Sequence, residues 1–407
     1  MSDKNELLPV LIVGAGPVGL SLATALAQQG VATAVYEKEP TLNQEIRAST
    51  LHPATLEMFA EWGVAEQVIA NGNPVRQLMY WERRTQELIA QFNYESIAAD
   101  TPFPFRLQCP QHILTRTLKP LLQQSPYATV HMGHELIGFT DHGSHVTAVF
   151  QTENGEVAVN GRYLCGADGS HSATRRLLGL AFPGSTYQDR FLLIGTDYNF
   201  RQHYPDLGPV NYIFDPKEWV IMLALPDLTR VVFRLRDEED SDTATSPAAL
   251  QQRLQNFVVE GQNTQYATRN TPPFNILTTQ LYRVHRRVAD TFRVGNVLLV
   301  GDAAHNNNPM GGMGMNSGIH DAHNLAPKLS SILEGEGDES LLDQYNTERR
   351  QVALEDVQSY SEQRFKDMTA KSDAERQQRD AQLRAMAADP ALARAYLLKA
   401  SMLSERI

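Results

Sequence analysis

VLLVGDAAHNNNPMGGMGMNSGIHDAHNLA, residues 297–326, combines a short apolar strand, an acid, a glycine-rich loop and a helix. The apolar run 297–300 has the length of one buried strand, and Gly301-Asp302 ends it. A loop rich in glycine follows, and helical character runs from Asn316 to Leu325. Backbone N–H groups at the start of a helix are free to bind an anion. The stretch therefore predicts a ligand site built largely from backbone.

The composition indicates a globular protein. A chain of 407 residues is too long for one ordinary core, so we expect about two domains. Hydrophobic residues make up 42% and charged residues 20%, and the net charge is −11. This acidic balance argues against nucleic acid as the main partner. Cys109 and Cys165 are the only cysteines, which excludes a disulfide framework and a cysteine-rich metal site.

The chain carries no sign of export or membrane insertion. The N-terminal apolar stretch is short and runs into glycines, unlike a signal peptide. No apolar run approaches the roughly 20 residues of a membrane span. The sequence therefore predicts a cytoplasmic protein with no membrane span.

A second glycine motif lies near the N-terminus. Residues 7–13 predict a buried strand, residues 20–29 a helix and residues 31–36 a second strand closed by Glu37. Between strand and helix stands GAGPVG, residues 14–19, the fingerprint of a dinucleotide site. In such a site Gly14 permits the tight turn, Gly16 the approach of the pyrophosphate and Gly19 close packing of helix and strand. The motif by itself does not separate NAD from FAD.

Coarser patterns organise the rest of the chain. Alternating apolar residues predict a hairpin at 78–81 and 88–92, and a sheet whose strands are 210–214, 219–225 and 230–235. Further strands are predicted at 129–137, 145–151 and 156–159, and an acidic loop at 237–246. Helices are predicted at 55–62, 113–124, 248–260, 340–371 and 374–407, the last with a break at Pro390.

A third informative stretch covers residues 162–176, RYLCGADGSHSATRR. A short strand ends at Gly166, and a helix start rich in small polar residues follows Asp168-Gly169-Ser170. Asp168 is placed either to cap that helix or to face a nucleotide. The residues alone leave both interpretations open.

These three motifs, in this order, resemble the single-component FAD-dependent aromatic hydroxylases, the family of para-hydroxybenzoate hydroxylase and phenol hydroxylase. The resemblance covers about residues 8–350. It implies an α/β fold: an FAD-binding Rossmann-like domain of the glutathione-reductase type, an inserted, mostly antiparallel β-sheet substrate domain, and C-terminal helices. The implied FAD-domain segments are 1–74, 101–181 and 275–370, the substrate-domain segments are 75–100 and 182–274, and the C-terminal segment is 371–407.

The resemblance also implies roles for single residues. The FAD pyrophosphate would lie on the first motif, formed by Gly14, Gly16, Pro17, Val18 and Gly19. Glu37, with Lys38 beside it, would hold the adenosine ribose. The remaining FAD contacts outside the late glycine loop would come from Arg47, Gln111, Asp168, Gly301 and Asp302, of which Asp168 would also serve the nicotinamide cofactor. On residues alone, Arg47 reads as a surface arginine, and only the resemblance gives it a role.

The late glycine loop is implied to line the isoalloxazine ring. Its residues are Pro309, Gly311, Gly312, Met313, Gly314, Met315 and Asn316. Reduction places negative charge on the N1–C2 edge of the ring, which backbone N–H groups at a helix start stabilise. Asn306-Asn307-Asn308 departs from the more apolar run of many members, which could loosen the seal of the flavin pocket. We expect no thioredoxin-like C-terminal domain of the kind that the larger phenol hydroxylases have. We interpret His305 as structural.

The implied reaction is hydroxylation of an aromatic, phenolic or heteroaromatic, small molecule. NADPH or NADH reduces FAD, O2 adds, and a flavin C4a-hydroperoxide transfers one oxygen to the ring. A general base or proton relay is expected, but the sequence identifies no catalytic residue. Tyr212, Phe214 and Met222 are predicted to face the ring, together with Pro309. His112 and Arg106 lie near Gln111 without an assigned role.

Other functions remain open at this point. An epoxidase or a Baeyer–Villiger oxygenase would use the same scaffold and the same oxidant. A non-catalytic FAD-fold binding protein would share the first fingerprint, although the motifs around Asp168 and at 311–316 argue against it. A plain NAD-dependent dehydrogenase would leave Gly301-Asp302 unexplained. The substrate, the choice between NADH and NADPH, and homodimer formation are not determined by the sequence.

Overall fold

A computed structural model describes residues 8–45, 48–216, 218–236, 238–260, 273–357, 363, 366–370 and 372–404. In chain order its strands are β1 (Leu8–Val13), β2 (Thr33–Glu37), β3 (Thr50–Leu51), β4 (Asn73–Val75), β5 (Gln77–Glu82), β6 (Leu88–Asn93), β7 (Arg106–Gln108), β8 (Ala128–Met132), β9 (Glu135–Asp141), β10 (Val146–Thr152), β11 (Gly155–Gly166), β12 (Gly184–Thr196), β13 (Val210–Phe214), β14 (Val220–Ala224), β15 (Thr229–Arg234), β16 (Ile276–Val288), β17 (Arg293–Val294), β18 (Val297–Leu299) and β19 (His305–Asn306).

The α-helices of the described residues are α1 (Pro17–Gln28), α2 (Pro53–Glu61), α3 (Ala65–Ala70), α4 (Gln111–Gln124), α5 (Ala173–Leu177), α6 (Ser241–Ala244), α7 (Pro247–Glu260), α8 (Met313–Leu333), α9 (Ser340–Val352), α10 (Asp373–Ala388) and α11 (Pro390–Ala400). Short 3₁₀ turns lie at Tyr94–Ile97, Phe200–Gln202 and Gly301–Ala303, and a π turn at Ala353–Val357 follows α9. Within the described residues, no helix is long and apolar enough to cross a membrane.

The first sheet contains a layer with strand order β17-β18-β11-β1-β2-β8, in which all neighbours are parallel except β17, which pairs antiparallel with β18. Its central strand β1 reads LPVLIV, and such a continuous apolar run suits a strand that is buried on both faces. Helices α1 and α8, with α2 and α4, cover one face and form one apolar core with the sheet. The antiparallel strands β9, β10 and the start of β11 cover the other face, where Phe150 stacks on Tyr36 with ring centroids 4.2 Å apart.

The second sheet is mostly antiparallel, with strand order β19-β16-β12-β15-β14-β13-β5-β6. Successive side chains on a strand point to opposite faces, so each strand feeds two cores. Helix α7 packs on one face, where Phe257 and Phe233 are buried. The C-terminal helices α10 and α11 lie over the other face, where Phe92 of β6 stacks on Tyr396 of α11 at 4.2 Å.

The C-terminal helices begin and end at clear local signals. Ser372 and Glu375 form a capping box at the start of α10, which satisfies two backbone N–H groups reciprocally. Asp389 accepts hydrogen bonds from the N–H groups of Ala391 and Leu392, and Pro390 occupies the first position of α11. The break predicted at Pro390 is confirmed, because the proline starts a new helix there.

The α/β fold class is confirmed, whereas several predicted elements differ in extent. The predicted strand at 129–137 is two strands, because Gly133 adopts a left-handed φ of +69° between them. Residues 155–166 form one strand where two were expected. Helix α8 starts at Met313 rather than Asn316, after Gly312 with φ of +73°. The acidic loop contains α6, capped by Asp240, and the helix predicted at 340–371 gives way to the π turn after Val352.

The predicted domain segments stay a prediction, but sheet membership bears on one boundary. Strand β16 pairs with β12 along most of its length and belongs to the second sheet. Residues 276–288 therefore extend that sheet beyond residue 274, and the chain rejoins the first sheet at β17 and β18.

The packing of α7 gives a stability prediction. Phe257 is 1% exposed and meets the rings of Tyr204, Phe200 and Phe233 at centroid distances of 5.5, 5.9 and 6.2 Å. Phe257→Ala is expected to reduce the free energy of unfolding by about 3–5 kcal/mol, because it leaves a cavity. Urea unfolding followed by circular dichroism measures the change. Leu392→Ala, at a site that is 48% exposed, is the control and should shift stability by about 0.5 kcal/mol at most.

Candidate flavin site

The three sequence motifs meet at one edge of the first sheet. Val13 of β1 lies in register with Tyr36 of β2 and with Gly166 of β11, and Gly166 pairs with Leu299 of β18. All four strands are parallel, so their carboxyl ends are level. The segments that follow them carry the first glycine turn, Glu37, Asp168 and Asp302. The carboxyl edge of a parallel sheet is where α/β proteins bind nucleotides.

The first glycine turn has no room for side chains where helix and strand meet. Gly14 has φ of +105°, and a Cβ there would lie 2.5 Å from the carbonyl oxygen of Ala167. A Cβ on Gly19 would lie 2.0 Å from the carbonyl oxygen of Gly14. Gly16, in contrast, faces open space, with no atom within 4 Å of a Cβ. Pro17 and Val18 begin α1 beside it, so a phosphate can approach the helix N-terminus at Gly16.

Glu37 stands beside this turn. Its Oε2 accepts a hydrogen bond of 2.8 Å from the N–H of Ala15, and its Oε1 accepts one of 3.1 Å from the N–H of Glu39. The carboxylate is thus held at the end of β2, adjacent to the glycine turn. Lys38 points away into solvent and pairs with Glu39 at 3.6 Å. Arg47 lies outside the described residues.

Of the two interpretations of Asp168, the capping contact is confirmed, and its role toward a nucleotide stays a prediction. Its Oδ2 accepts hydrogen bonds from the N–H and the hydroxyl of Thr174, at 2.9 and 3.0 Å, which caps the first turn of α5. Its Oδ1 is buried and has no hydrogen-bond partner among the described residues. A buried carboxylate oxygen without a donor is costly, so this atom has the capacity to accept a hydrogen bond from a ligand.

Ser170 and Arg175 join the second motif to the third. The Ser170 hydroxyl donates to Oδ2 of Asp302 at 3.2 Å, and Asn306 Nδ2 donates to the Ser170 oxygen at 3.2 Å. The Arg175 guanidinium donates to the carbonyl oxygens of Ala303 and Ser170, at 2.7 and 2.8 Å. The loops that carry Asp168 and Asp302 are therefore fixed to each other.

The late glycine loop is held from behind by side chains. Asn316 accepts hydrogen bonds from the N–H of His52 and the hydroxyl of Thr55, at 2.9 and 2.7 Å, and donates to the carbonyl oxygens of Thr50 and Gly312, at 2.8 and 2.7 Å. With all four bonds made, its amide anchors the loop. Of the other predicted ring-lining residues, Met313 is buried in the core with the second sheet, and Gly314 would place a Cβ 2.9 Å from Asn307.

His52 fixes the loop at a second point. Its Nε2 donates to the carbonyl oxygen of Gly311 at 2.9 Å. Burial, and then the charge of Arg106, hold the pKa of His52 well below its usual value, so the ring is neutral at physiological pH. Because a carbonyl oxygen only accepts hydrogen bonds, the proton of the neutral ring is on Nε2. Within the loop, the N–H of Gly312 donates to the carbonyl oxygen of Pro309 at 2.9 Å.

Gln111 opens α4 beside the loop at residues 42–45. Its N–H donates to the carbonyl oxygen of Ala48 at 2.9 Å, and its Nε2 reaches the carbonyl oxygen of Glu45 at 3.5 Å. The next residue, His112, lines an open cleft of about 380 Å³ together with Gln44, Glu45, Arg116, Thr278, Thr279 and Gln280. Arg106 lies elsewhere, buried and donating to the carbonyl oxygen of Ala400 at 3.2 Å.

An aromatic cavity lies between the second sheet and the C-terminal helices. The described residues that line it are Tyr80, Tyr212, Phe214, Met310, Asp367, Met368 and Leu383. Tyr80 stacks on Tyr212 with centroids 5.1 Å apart, and its hydroxyl is hydrogen-bonded to that of Tyr396. Met310 brings the glycine loop to the cavity. The predicted Tyr212 and Phe214 therefore come together here. Pro309 is exposed and is not among the described lining residues, and Met222 lies on the opposite face of the sheet in the core with α7.

Several residues of this site were not identified from the sequence. Ser170 and Arg175 belong to the second quoted motif, and His52 stands in the Arg-Ala-x-x-Leu-His pattern around Arg47, so their presence was visible but not their contacts. Asp321 is the single acid of α8 and shares the buried part of this helix with the polar residues Asn316, Ser317 and His320, so its burial shows only in the structure.

Glycine turns at the carboxyl edge of a parallel sheet define a nucleotide-binding α/β protein. The match to known families names the nucleotide: the chain belongs to the family described as FAD binding domain, which matches residues 8–359. Open space at Gly16 and the unpaired Oδ1 of Asp168 fit this cofactor, since its pyrophosphate needs close backbone approach and its hydroxyls need acceptors.

Known relatives narrow the class further. The chain is 30% identical over 404 residues to para-nitrophenol 4-monooxygenase of Pseudomonas sp. (strain WBC-3), covering 98% of this chain and 96% of that protein. It is 31% identical to a 3-(3-hydroxy-phenyl)propionate/3-hydroxycinnamic acid hydroxylase of Mycolicibacterium gilvum (strain PYR-GCK), covering 87% of this chain but only 59% of that protein. The crystal structure of p-nitrophenol 4-monooxygenase from Pseudomonas putida DLL-E4 matches with a TM-score of 0.88 and 27% identity, over 97% of this chain and 98% of that one.

The family and these relatives confirm the class predicted from the resemblance. The protein is an FAD-dependent monooxygenase of the aromatic hydroxylase group, in which NAD(P)H as reductant is a general property. The FAD-binding roles of the individual residues stay predictions, supported by their common position at the sheet edge.

Crowding at Gly19 gives a prediction for cofactor binding. Gly19→Ala is expected to weaken FAD binding roughly 10- to 100-fold. The added Cβ clashes with Gly14 and displaces the turn, which is expected to cost about 1–3 kcal/mol of binding free energy. Titration of the apoprotein with FAD, followed by flavin fluorescence, measures the dissociation constant. Gly138→Ala on β9, where a Cβ meets nothing within 4 Å, is the matched control. Equal affinities of the two variants would contradict the assignment of the turn.

Proposed function

We propose that this enzyme hydroxylates a small phenol in the aromatic cavity between the second sheet and the C-terminal helices, with NAD(P)H and O2 as co-substrates. The observation that carries the proposal is Met310: it belongs to the glycine loop predicted to line the isoalloxazine ring, and it also lines the cavity of Tyr80, Tyr212 and Phe214. A ring bound among these aromatic side chains would lie next to the flavin.

The cavity suits a flat apolar substrate. Stacked and edge-on aromatic rings bind a further ring favourably. In the described conformation it has room for about one water molecule, so a substrate must displace Met310, Met368 and Leu383. Methionine side chains adapt easily because they are unbranched and polarizable. A cavity that closes so tightly also excludes bulk water from the reacting atoms.

FAD, when bound, supplies the electron transfer and the activation of O2. The chain would hold it with the first glycine turn at the pyrophosphate, Glu37 at the adenosine ribose, and Asp302 at the ribityl region. The N–H groups at the start of α8 would stabilise negative charge on the ring, because the N-terminus of a helix carries partial positive charge. The chain's part in the reaction is thus to bind, orient and exclude water.

Tyr80 and Tyr396 supply a path for the phenol proton. Their hydroxyls are hydrogen-bonded to each other, and Tyr80 lines the cavity. A phenol attacks more readily as phenolate. Tyr80 would take the phenol proton as it passes its own to Tyr396, and Tyr396 would pass its own to water, so that both tyrosines end neutral. We therefore assign these two tyrosines as the proton relay that the sequence left unnamed.

The cavity favours phenols without a carboxylate. Its described lining residues include one acid, Asp367, and no lysine, arginine or histidine. The neighbouring Arg379, whose guanidinium lies 3.6 Å from the centre of the Phe214 ring, is paired with Asp380 at 2.7 Å. A substrate like that in the name of the nitrophenol relatives suits this lining better than a phenylpropionate. Cytoplasmic location and the domain segments given above are part of the same proposal.

The test is oxidation of NAD(P)H by the purified, FAD-loaded protein with a panel of phenols, hydroxypyridines and quinolones. The panel includes 4-nitrophenol and the matched pair 3-propylphenol and 3-(3-hydroxyphenyl)propionate. Stimulation by a phenol, with one atom of isotopically labelled O2 in a ring-hydroxylated product, would support the proposal. An epoxide or lactone product would favour the other oxygenase reactions, and FAD binding without any NAD(P)H oxidation would favour the binding-protein function.

The two faces of the second sheet give a paired prediction. Tyr212→Leu should raise the KM for the phenol about 2- to 10-fold, because a lost aromatic contact costs about 0.5–1.5 kcal/mol. Met222→Leu, on the next strand but on the opposite face, should leave KM unchanged. Steady-state kinetics with the best phenol of the panel decide the matter. A larger KM change for Met222→Leu would place the substrate on the wrong face for this proposal.

The proton relay is tested with Tyr396→Phe. For a phenol that is protonated at the assay pH, kcat should fall about 100-fold, the lower end of the contribution of acid–base catalysis. For 4-nitrophenol assayed at a pH where it is ionised, the loss should be much smaller, because the proton has already left. Tyr127→Phe, at an exposed site, is the control. An equal loss for both substrates would show that Tyr396 has a packing role only.

A further inference from the structure

We propose that Asp321 is a positioning residue for the flavin. It accepts hydrogen bonds from residues on both sides of Asp302 and so fixes the Asp302 carboxylate at the sheet edge. Asp321 belongs to α8 and does not reach the surface, and although it lies within the stretch 297–326, no role was predicted for it from the sequence. The inference rests on the FAD site alone and not on the identity of the phenol.

One carboxylate oxygen makes both contacts with the turn. Oδ2 of Asp321 accepts a hydrogen bond of 3.0 Å from the N–H of Gly301 and one of 2.8 Å from Nε2 of His305. Gly301 is the first residue of the turn, and His305 is the second residue after its end at Ala303. Asp302 lies between them, so its backbone is held at both sides by the same atom.

The turn has little space around it and uses a backbone conformation that favours glycine. This explains why its position must be fixed by hydrogen bonds. Gly301 has φ of +62°, a conformation that few residues other than glycine adopt. A Cβ on Gly301 would lie 3.0 Å from a methyl group of Val18, and a Cβ on Gly318 of α8 would lie 3.0 Å from the Cα of Gly301. The turn thus touches α8 on one side and the first glycine turn on the other. A displacement of Gly301 would reach the pyrophosphate end of the site as well.

The second carboxylate oxygen is neutralised by α9. Oδ1 of Asp321 accepts a hydrogen bond of 2.6 Å from Nε of Arg349, which is 2% exposed and also donates to the carbonyl oxygen of Ser317 at 3.3 Å. Burial alone would raise the pKa of Asp321, but the charges of His305 and Arg349 and their hydrogen bonds lower it to about 2. The carboxylate is therefore ionised throughout the neutral range and retains both acceptor oxygens.

A buried ion pair is a poor way to gain stability. Removing two charges from water costs several kcal/mol per ion, and apolar replacements are often as stable. Gly301 and His305, in contrast, both need an acceptor at one defined point, which an apolar side chain cannot provide. The geometry of the network thus points to orientation of the turn as its purpose.

The effect reaches the ligand side through Asp302 and Asn306. The Ser170 hydroxyl donates to Asp302, and Asn306, next to His305, donates to the Ser170 oxygen and to the Asp302 carbonyl at 3.3 Å. His305 is further seated by Phe292, with ring centroids 5.7 Å apart. Rotation of the turn would therefore change the distance between Asp302 and the loop of Asp168, the two acids assigned to FAD.

A merely structural role is the alternative, and Tyr345 provides its control. Tyr345 lies one turn before Arg349 on α9, is fully buried and donates to the carbonyl oxygen of Leu299 at 2.7 Å. Tyr345→Phe removes a buried hydrogen bond between α9 and the strand that precedes the turn. It leaves the contacts of Gly301 and His305 with Asp321 intact.

The experiment compares Asp321→Asn with Tyr345→Phe in the full chain. We expect Asp321→Asn to raise the FAD dissociation constant about tenfold or more, the size seen when partners that orient cofactor ligands are removed at metal sites. We also expect a shifted flavin reduction potential in the fraction that is loaded. Tyr345→Phe should change the dissociation constant less than about twofold. This holds even if it lowers the melting temperature of the apoprotein as much as Asp321→Asn does.

Two further variants keep the inference testable if Asp321→Asn does not fold. His305→Gln removes the hydrogen bond between His305 and Asp321 and should weaken FAD binding. Arg349→Lys retains the charge beside Asp321 and should largely preserve FAD binding. Unchanged FAD affinity and potential in Asp321→Asn or His305→Gln would overturn the proposal, as would an equal loss in Tyr345→Phe. Because these readouts need no phenol, they are independent of the outcome of the substrate test.

Discussion

The rest of the structure depends on the level carboxyl ends of four parallel strands. Val13, Tyr36, Gly166 and Leu299 lie side by side, and each is followed at once by a segment predicted to contact FAD. Regular pairing in the sheet fixes these ends within one plane, because a shift of register would bury a different set of side chains. Segments that are more than a hundred residues apart in the chain thereby become one surface. The glycines at this edge permit backbone contact where side chains would keep the segments apart.

In the second sheet, alternate side chains of one strand point to opposite faces, and only one of these faces lines the cavity proposed to bind the substrate. On β13, Tyr212 and Phe214 face the aromatic cavity, whereas Ile213 between them faces the core with α7. The same strands therefore provide a rigid core on one side and a recognition surface on the other. The C-terminal helices complete the cavity: Tyr396 stacks on Phe92, and Leu383 lies in the cavity wall. A part of the chain that carries no recognised motif thus lines the cavity proposed to bind the substrate.

Buried polar groups hold the site in place. Asn316, His52 and Asp321 are enclosed, and each bonds backbone atoms of the glycine loop or of the turn at 301. Polar groups inside a protein define one arrangement more strictly than apolar contacts do, since an unmade hydrogen bond is costly there. The cofactor surface is formed by flexible glycine-rich backbone, so its rigidity must come from these side chains behind it.

The sequence predicted the fold class and the position of the glycine turns from its local pattern, and the cofactor only through the resemblance to a known family. Strand, glycine turn, helix and acid follow one another locally, and their spacing is set by the chain itself. It also placed Tyr212 and Phe214 on one strand face, by their separation of two residues. Only the tertiary structure decided that Met222 lies behind the sheet, that Asn316 and Asp321 serve as anchors, and that Tyr80 meets Tyr396. These facts depend on register between strands and on contacts between residues that are not neighbours in the chain. Such contacts are separated by 16 residues for Asp321 and His305 and by 316 for Tyr80 and Tyr396, and no local pattern encodes them.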